Sequence, residues 1–417
     1  MTTIRSRNHR CVLYRHTVCL FGVLGAVVAI AQPAPDVLWR EKTHNYFVSP
    51  VAISPDGTLV ASAGTNNSIR LANLADGSAV RLLSGHTDGV ASIAFSPDGT
   101  MLVSTADDRT LRLWEVSAGT LLRTISQGGG NRQFTAVAFH PDGQHVAADR
   151  NRTNVVLWRV SDGTPVWETF STAWQIESIA FSPDGSLVAA AGGNRGVDVK
   201  VRVIRAADGQ LLHSLTTSNS YGVRQLAFSP DGQWLAAGCY ESGSFAGGVE
   251  IWRVSDWTRH RRLPVTAPSV AFSPDGRLLV TVRTSAMDFW SVPDGALLQT
   301  VGVPEGDVYG RHLSVAVSPS GNRIVTGNYK QIATTNGTIT ESAATAIRFP
   351  MMLSLGSPNG NLATLNWSGG YALYQVQRRP FGGASGWVNF GDATTNRSFS
   401  LPLDGPGAMF RVIEVAQ

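Results

Sequence analysis

A turn of the form Ser-Pro-Asp-Gly returns along this chain at a nearly fixed interval, and no other feature narrows the possible folds so far. Its prolines are Pro55, Pro97, Pro141, Pro183, Pro230, Pro274 and Pro319, at steps of 42, 44, 42, 47, 44 and 45 residues. Self-similarity at such a period marks an array whose units cannot bury their faces alone and stack on their neighbours to do so. The turn is legible position by position: in "FSPDGT" (95–100) Ser opens a type I turn, Pro presets φ at the second place, Asp takes the third and Gly the fourth. The last copy, "VSPSGN" (317–322), keeps the form with Ser in place of Asp.

Each unit reads as four short strands. In the second, "VASIAF" (90–95), "MLVST" (101–105), "TLRLWEV" (110–116) and "LLRTI" (121–125) are separated by turn signals. A second turn is nearly as regular as the first: "ADG" (75–77), "SAG" (117–119), "SDG" (161–163), "ADG" (207–209), "SDW" (255–257) and "PDG" (293–295). Third strands carry Trp114, Trp158, Trp252 and Trp290, with Ala72 at that place in the first unit. Four-stranded antiparallel sheets repeated radially close into a disc and leave only short edges. The predicted fold is therefore all-β: a seven-bladed β-propeller over 36–350, followed by a small C-terminal β-sandwich over 352–417. A circular array must also close, and "DVLWRE" (36–41) is predicted to supply the fourth strand of blade seven beside the strand near 343–349.

The units resemble the WD-repeat propellers, most fully in "SGHTDGVASIAFSPDGTMLVSTADDRTLRLWEV" (84–116), with its Gly-His pair and third-strand Trp. That resemblance implies a buried tetrad of His86, Ser104, Asp108 and Trp114 within the blade. No unit keeps the Trp-Asp dipeptide, only the second keeps Gly-His, and the fourth has "VKVRVI" where Trp would sit. Propellers of periplasmic translocation proteins and prolyl peptidases share the Ser-Pro-Asp-Gly turn, but a Trp-x-Val strand ending before an Asp-Gly turn favours the WD type.

At the N-terminus, residues 1–31 carry four Arg and no acid, then an apolar run from Thr17 closing on Ala29-Ile30-Ala31. These are the parts of a signal peptide, and the run is shorter than the roughly 20 residues of a membrane span. The expected protein is exported, periplasmic or extracellular, with no membrane span after cleavage. Without those four Arg, 30 basic and 30 acidic residues remain, so the basic pI of 9.1 gives no reason to expect nucleic acid. Cys11 and Cys19 leave with the leader, and Cys239 alone offers no disulfide framework. From Met352 a different β pattern begins, with "LATLNW" (362–367), "YALYQVQRR" (371–379), "WVNF" (387–390), "RSFSLPL" (397–403) and "AMFRVIEV" (408–415). It resembles a fibronectin type III-like module of secreted bacterial proteins.

No nucleophile elbow, phosphate loop or His-Glu-x-x-His motif occurs. His140 and His145 flank a turn without a carboxylate-rich set, and the repeated turn Asp residues stand singly where calcium needs six to eight converging oxygens. Sialidase Asp boxes share Ser-x-Asp-Gly but continue to Thr-Trp, which never follows here. Asp107 and Asp108 are chain neighbours that point apart. The expectation is no catalytic residue, no metal and no cofactor.

In a four-stranded meander the Pro-Asp-Gly and Asp-Gly turns share one face of the disc. Irregular loops share the other, among them "YESGSFAGG" (240–248) and "NYKQIATTNGTITES" (328–342), and such loops on a rigid scaffold suit recognition. Counting back seven from the place of Phe95 gives Tyr46, Asp88, Arg132, Trp174 and Tyr221; with Tyr240 and Arg311 these are the candidate contacts for a protein or peptide partner. The expected function is an exported, non-catalytic binding scaffold. The alternative is a secreted propeller hydrolase or lactonase at the central opening, and glycan binding through Tyr371, Tyr374 and Trp387 is the minor possibility.

Overall fold

The computed structural model describes residues 3–6, 9–12, 17–20, 27–28, 37–44, 48–126, 133–169, 175–193, 199–217, 222–239, 248–283, 286–302, 314–334, 337–348, 352–355, 362–368, 373–380, 388–389, 398–402 and 408–415. The chain divides into two compact units, one of Asp36–Pro319 with Arg323–Arg348, the other of Met1–Pro35, Ser320–Asn322 and Phe349–Gln417.

The first unit is a seven-bladed propeller of four-stranded antiparallel sheets, each paired in chain order except at the seam. Blade two is typical, with Val90–Phe95, Met101–Ala106, Thr110–Glu115 and Leu121–Ser126 from inside to outside. First strands touch one another around the ring, and Ser314–Val317 of blade seven meets Val48–Ile53 of blade one. Side chains are graded outward: second strands are rich in fully buried alanine (Ala61, Ala147, Ala189, Ala236), where converging blades leave little room. Trp114, Trp158, Trp252 and Trp290 fill the wider gaps on third strands. The core is thus a series of layers between blades; Leu71 and Leu83 of blade one, for example, pack on Phe95, Leu102 and Trp114 of blade two.

Val37–His44 pairs with the third strand of blade seven, from Ile347↔Val37 to Ser342↔His44, so the beginning and end of the propeller meet in one sheet. Trp39 reinforces the seam, donating its indole N–H to Leu74 O at 2.9 Å and packing with Val60, Val325 and Ala346.

Every Ser-Pro-Asp-Gly turn with a described bond closes as expected, for instance Gly99 N to Ser96 O at 2.9 Å. The Asp accepts from the Ser hydroxyl and from the backbone N–H two residues on (Ser96 Oγ to Asp98 Oδ1, 2.6 Å; Thr100 N, 3.0 Å), and these bonds hold its carboxyl below the usual range. The turns also interlock. A Cβ at Gly99 would lie 3.5 Å from Pro55 of the preceding blade, with like contacts of Gly143 on Pro97, Gly185 on Pro141, Gly232 on Pro183 and Gly57 on Pro319.

One loop reading is corrected. Residues 328–342, expected as a loop, continue the second and third strands of blade seven as an antiparallel ladder, from Asn328↔Ala343 to Thr334↔Gly337. A run rich in Thr and Ile around Asn-Gly is itself a hairpin signal. Each strand has 12 residues against six in most blades.

The second unit contains a three-stranded sheet of Met352–Leu355, Leu362–Ser368 and Ser398–Pro402. A five-stranded sheet takes Val388–Asn389, Leu373–Pro380 and Ala408–Val415, then Thr17–Leu20 and Val27–Val28 from the expected leader.

Candidate functional site

The face opposite the interlocked turns is built from the beginnings of first strands and from the hairpin turns between second and third strands. Its most regular device is a β-bulge. Pairing skips a residue between Val90 and Ser92, Ile176 and Ser178, and Val223 and Gln225, leaving Ala91, Glu177 and Arg224 outside the ladder register. A bulge re-aims the side chain it carries. In blades four and five that side chain is charged, and Arg224 Nη1 donates to Glu177 Oε2 at 3.1 Å across the blade boundary. The pair is partly exposed, at 22% and 15% of the side-chain surface.

Further polar links follow the same inner circle. Ser178 Oγ accepts from Leu226 N at 2.9 Å, and Ser314 Oγ accepts from Val51 N at 3.2 Å. Thr135 Oγ1 donates to Ile176 O at 2.6 Å. Consecutive blades are thereby tied side chain to backbone where the first strands begin.

Blade three contributes a wholly buried carboxylate. Asp149 accepts from Thr135 N (2.7 Å), Ala136 N (2.8 Å) and Arg152 N (3.1 Å). It fixes the start of the first strand to a turn in which Asn151 and Arg152 both take positive φ, 54° and 63°. Burial outweighs the hydrogen bonds and pushes its carboxyl up to about 6. Nearby, burial and then the charge of Asp88 raise the carboxyl of Asp107, while Arg152 opposes them. The described part of this face therefore presents charges of both signs: Asp88, Asp107, Arg152, Glu177 and Arg224.

Beneath it, blade two brings His86, Ser104, Asp108 and Trp114 together. Trp114 Nε1 donates to Ser104 Oγ at 2.8 Å, Ser104 Oγ lies 2.7 Å from His86 Nε2, and His86 Nδ1 lies 2.8 Å from Asp108 Oδ2. The donors balance if His86 is neutral, with Nδ1–H facing Asp108 and Nε2 accepting the Ser104 proton. Burial lowers the His86 pKa despite the raising effect of Asp108, consistent with that tautomer. For Asp108, burial raises the carboxyl, but bonds from Thr110, His86 and Thr87 prevail and lower it. Other blades keep fragments. Trp290 Nε1 donates to Thr281 Oγ1 at 3.0 Å, whereas Ala148 stands at the serine's place in blade three and Trp158 Nε1 has no hydrogen-bond partner among the described residues.

Of the candidate partner contacts, Asp88 is described; its Oδ1 accepts from Gly89 N at 2.8 Å, and it lies beside Asp107. Tyr46, Arg132, Trp174, Tyr221, Tyr240 and Arg311 lie outside the described residues, as do the side chains of Tyr371, Tyr374 and Trp387. Glu177, Arg224 and Asp149 were not among the candidates. Counting back four from the place of Phe95 instead of seven would have found the first two. His140, which replaces the turn Ser, accepts from Asp142 N and reaches Gly185 O of blade four at 2.9 Å, and His145 Nδ1 sits 2.8 Å from Asp142 Oδ2. Both histidines are thereby engaged in turn and blade contacts.

The family described as WD domain, G-beta repeat, matches residues 39–73, 77–115, 165–197 and 209–252. The first of these begins in Val37–His44, the outer strand of blade seven, and ends in the third strand of blade one; the second runs from the turn before Ala79–Ser84 to the third strand of blade two. No curated protein matches the chain. Those four stretches are similar to WD repeats, and the seven four-stranded sheets form a propeller.

Proposed function

We propose that this WD40-repeat propeller is an exported, non-catalytic scaffold that binds a protein or peptide partner on the face opposite the Ser-Pro-Asp-Gly turns. WD40 propellers are typical protein-interaction scaffolds. The observation that carries the choice of face is an asymmetry. On the turn face one short motif repeats, and a Cβ at Gly57, Gly99, Gly143, Gly185 or Gly232 would lie within 4 Å of the proline of the preceding turn, so this face offers near-identical turns and little variety. The opposite face bears the bulge-borne Glu177–Arg224 pair, the Asp88 and Asp107 carboxyls and the long hairpin of residues 323–348. Charges held by a rigid frame give orientation and specificity to a docking partner.

In this reading residues 1–31 are a leader and residues 352–417 a fibronectin type III-like module. Amino-terminal sequencing of the protein recovered from its native host tests export: a mature chain starting just after Ala31 is expected, and a retained Met1 would contradict it. Binding is tested by replacing Trp174, Tyr221 and Tyr240 together by Ala and measuring partner capture. Unchanged capture by a folded variant would overturn the assignment of these contacts.

A further inference from the structure

Among the described residues, two successive non-glycine positions take positive φ at one place only, Asn151 and Arg152, at 54° and 63°. They join the second and third strands of blade three on the candidate face. With Thr153 N bonded to Arg150 O at 3.1 Å, they form a type I′ hairpin turn, whose second place ordinarily belongs to glycine. An arginine held there stores strain, and such strain persists only where the surroundings fix it.

The backbone of Arg152 is held on both sides. Its N–H donates to Asp149 Oδ2 at 3.1 Å, and its carbonyl accepts from Ile176 N of blade four at 2.6 Å. Ile176 O in turn accepts from Thr135 Oγ1 of blade three, and the next residue is Glu177, whose carboxylate meets Arg224 of blade five. The charge of Arg152 reaches Asp107 of blade two. One buried carboxylate thus anchors a turn linked to the charged groups of the neighbouring blades.

The described bonds to Asp149 come from neutral groups, Thr135 N and Ala136 N on Oδ1 and Arg152 N on Oδ2. Charged side chains on the elements around it are Arg150 and Arg152 of its own hairpin, Asp88, Asp107 and Asp108 of blade two, and Glu177 of blade four. Of these, Arg150 is engaged by Glu168 at 2.6 Å and Glu177 by Arg224 at 3.1 Å. Because Oδ1 already accepts two N–H groups, an added proton goes to Oδ2, where the new O–H and Arg152 N–H are both donors and their contact fails. Burial outweighs the bonds and sets this titration at about 6, within reach of a mildly acidic medium.

We propose that Asp149 is a proton-operated latch of the binding face: ionised, it clamps the Asn151–Arg152 turn; protonated, it lets go of Arg152 N, and the strained turn relaxes together with the Ile176 anchor beside Glu177. The role rests on the reading of this face as the interaction surface, whose partner is then held at neutral pH and released in acid.

Hydrogen–deuterium exchange of the full chain between pH ~5 and ~7.5, corrected for the intrinsic pH dependence of exchange, reads the latch without any partner. The segment 149–153 is expected to lose protection about tenfold as pH falls through about 6. Asp149→Asn puts an uncharged group at that place and should give low protection throughout, whereas Asp107→Asn should keep the step of the parent. A partner retained from the exported fraction at neutral pH should be lost in acid by the parent and held weakly at either pH by Asp149→Asn. No step in the parent, the same step in Asp149→Asn, loss of the step in Asp107→Asn, or equal retention by the parent at acid and neutral pH would overturn the proposal. Failure to retain any protein counts against the binding face alone, and the exchange step still decides the latch.

Discussion

Arg81 closes over Gly119: a Cβ on that glycine would lie 2.2 Å from Arg81 Cδ, and the guanidinium donates to Ser117 O (2.6 Å) and Ala118 O (2.9 Å) of the next blade. The third residue of the outer strand repeats this role around the disc. Arg123 donates to Ser161 O and Asp162 O, Trp167 to Ala206 O, and Trp39 to Leu74 O. Outer turns therefore lock blades together as the Ser-Pro-Asp-Gly turns do further in.

Gly119→Ala meets both a left-handed φ of 72° and the Arg81 side chain, and a loss of about 1–2 kcal/mol is expected from the backbone alone. Gly302→Ala has nothing within 4 Å of the new methyl group and should stay within about 0.5 kcal/mol of the parent. Urea midpoints of the two variants check this, and equal midpoints would contradict it.

Ser104→Ala leaves the Trp114 indole N–H and His86 Nε2 without their shared partner in a buried site. An unsatisfied buried group costs about 1–3 kcal/mol. Thr281→Val in blade six removes the single acceptor of Trp290 and should cost less. Denaturation of the two variants under one condition gives the order, and the reverse order would count against the blade-two network.

Asp149 makes stability depend on pH. Its carboxyl is raised from 3.8 to about 6 in the fold, so the native state binds the proton more tightly than the unfolded chain. The resulting stabilisation is complete below the unfolded value and is lost as pH rises through about 6. Relative to Asp149→Asn, the parent should lose about 2 kcal/mol between pH ~4 and ~7. Unfolding midpoints across that range test it; parallel profiles would show that Asp149 is not the group responsible.

Trp39→Ala removes the indole that joins blade seven to blade one, with its bond to Leu74 O and its packing on Val60, Val325 and Ala346. A loss of about 3–5 kcal/mol is expected, as for other buried aromatic truncations. Thermal unfolding of the variant reports it, and a midpoint equal to the parent's would mean that the seam contributes little.

Much of the propeller was legible because its punctuation is local. The Ser, Pro, Asp and Gly of each turn specify it among themselves, and the constant step counts the blades. Closure by residues 36–41 followed from the missing fourth strand. The tetrad residues could be named only where His86 survives, since Thr281 keeps a single bond of it and Ala148 none. What remained hidden depends on geometry between blades. Arg81 and Ala118 are 37 residues apart, and Glu177 and Arg224 are 47 apart. Such pairs meet only once the ring is closed. The bulge at Glu177 gives no compositional sign, and Asp149 resembles any strand-end acid until its three backbone donors are seen. Trp257 was visible as the Trp of "SDW" where neighbours have Gly, but its left-handed backbone, at φ 56°, and its stacking on His213 of blade four were not.

The choice of face is tested most directly by immobilising the protein and capturing proteins from the native exported fraction, with variants on each side of the disc. A specific partner should be retained by the parent and by Pro97→Ala on the turn face, and lost from a folded Glu177→Ala, Arg224→Ala variant. Retention by the Glu177 and Arg224 variant, with loss from Pro97→Ala, would place the partner on the turn face and contradict the account.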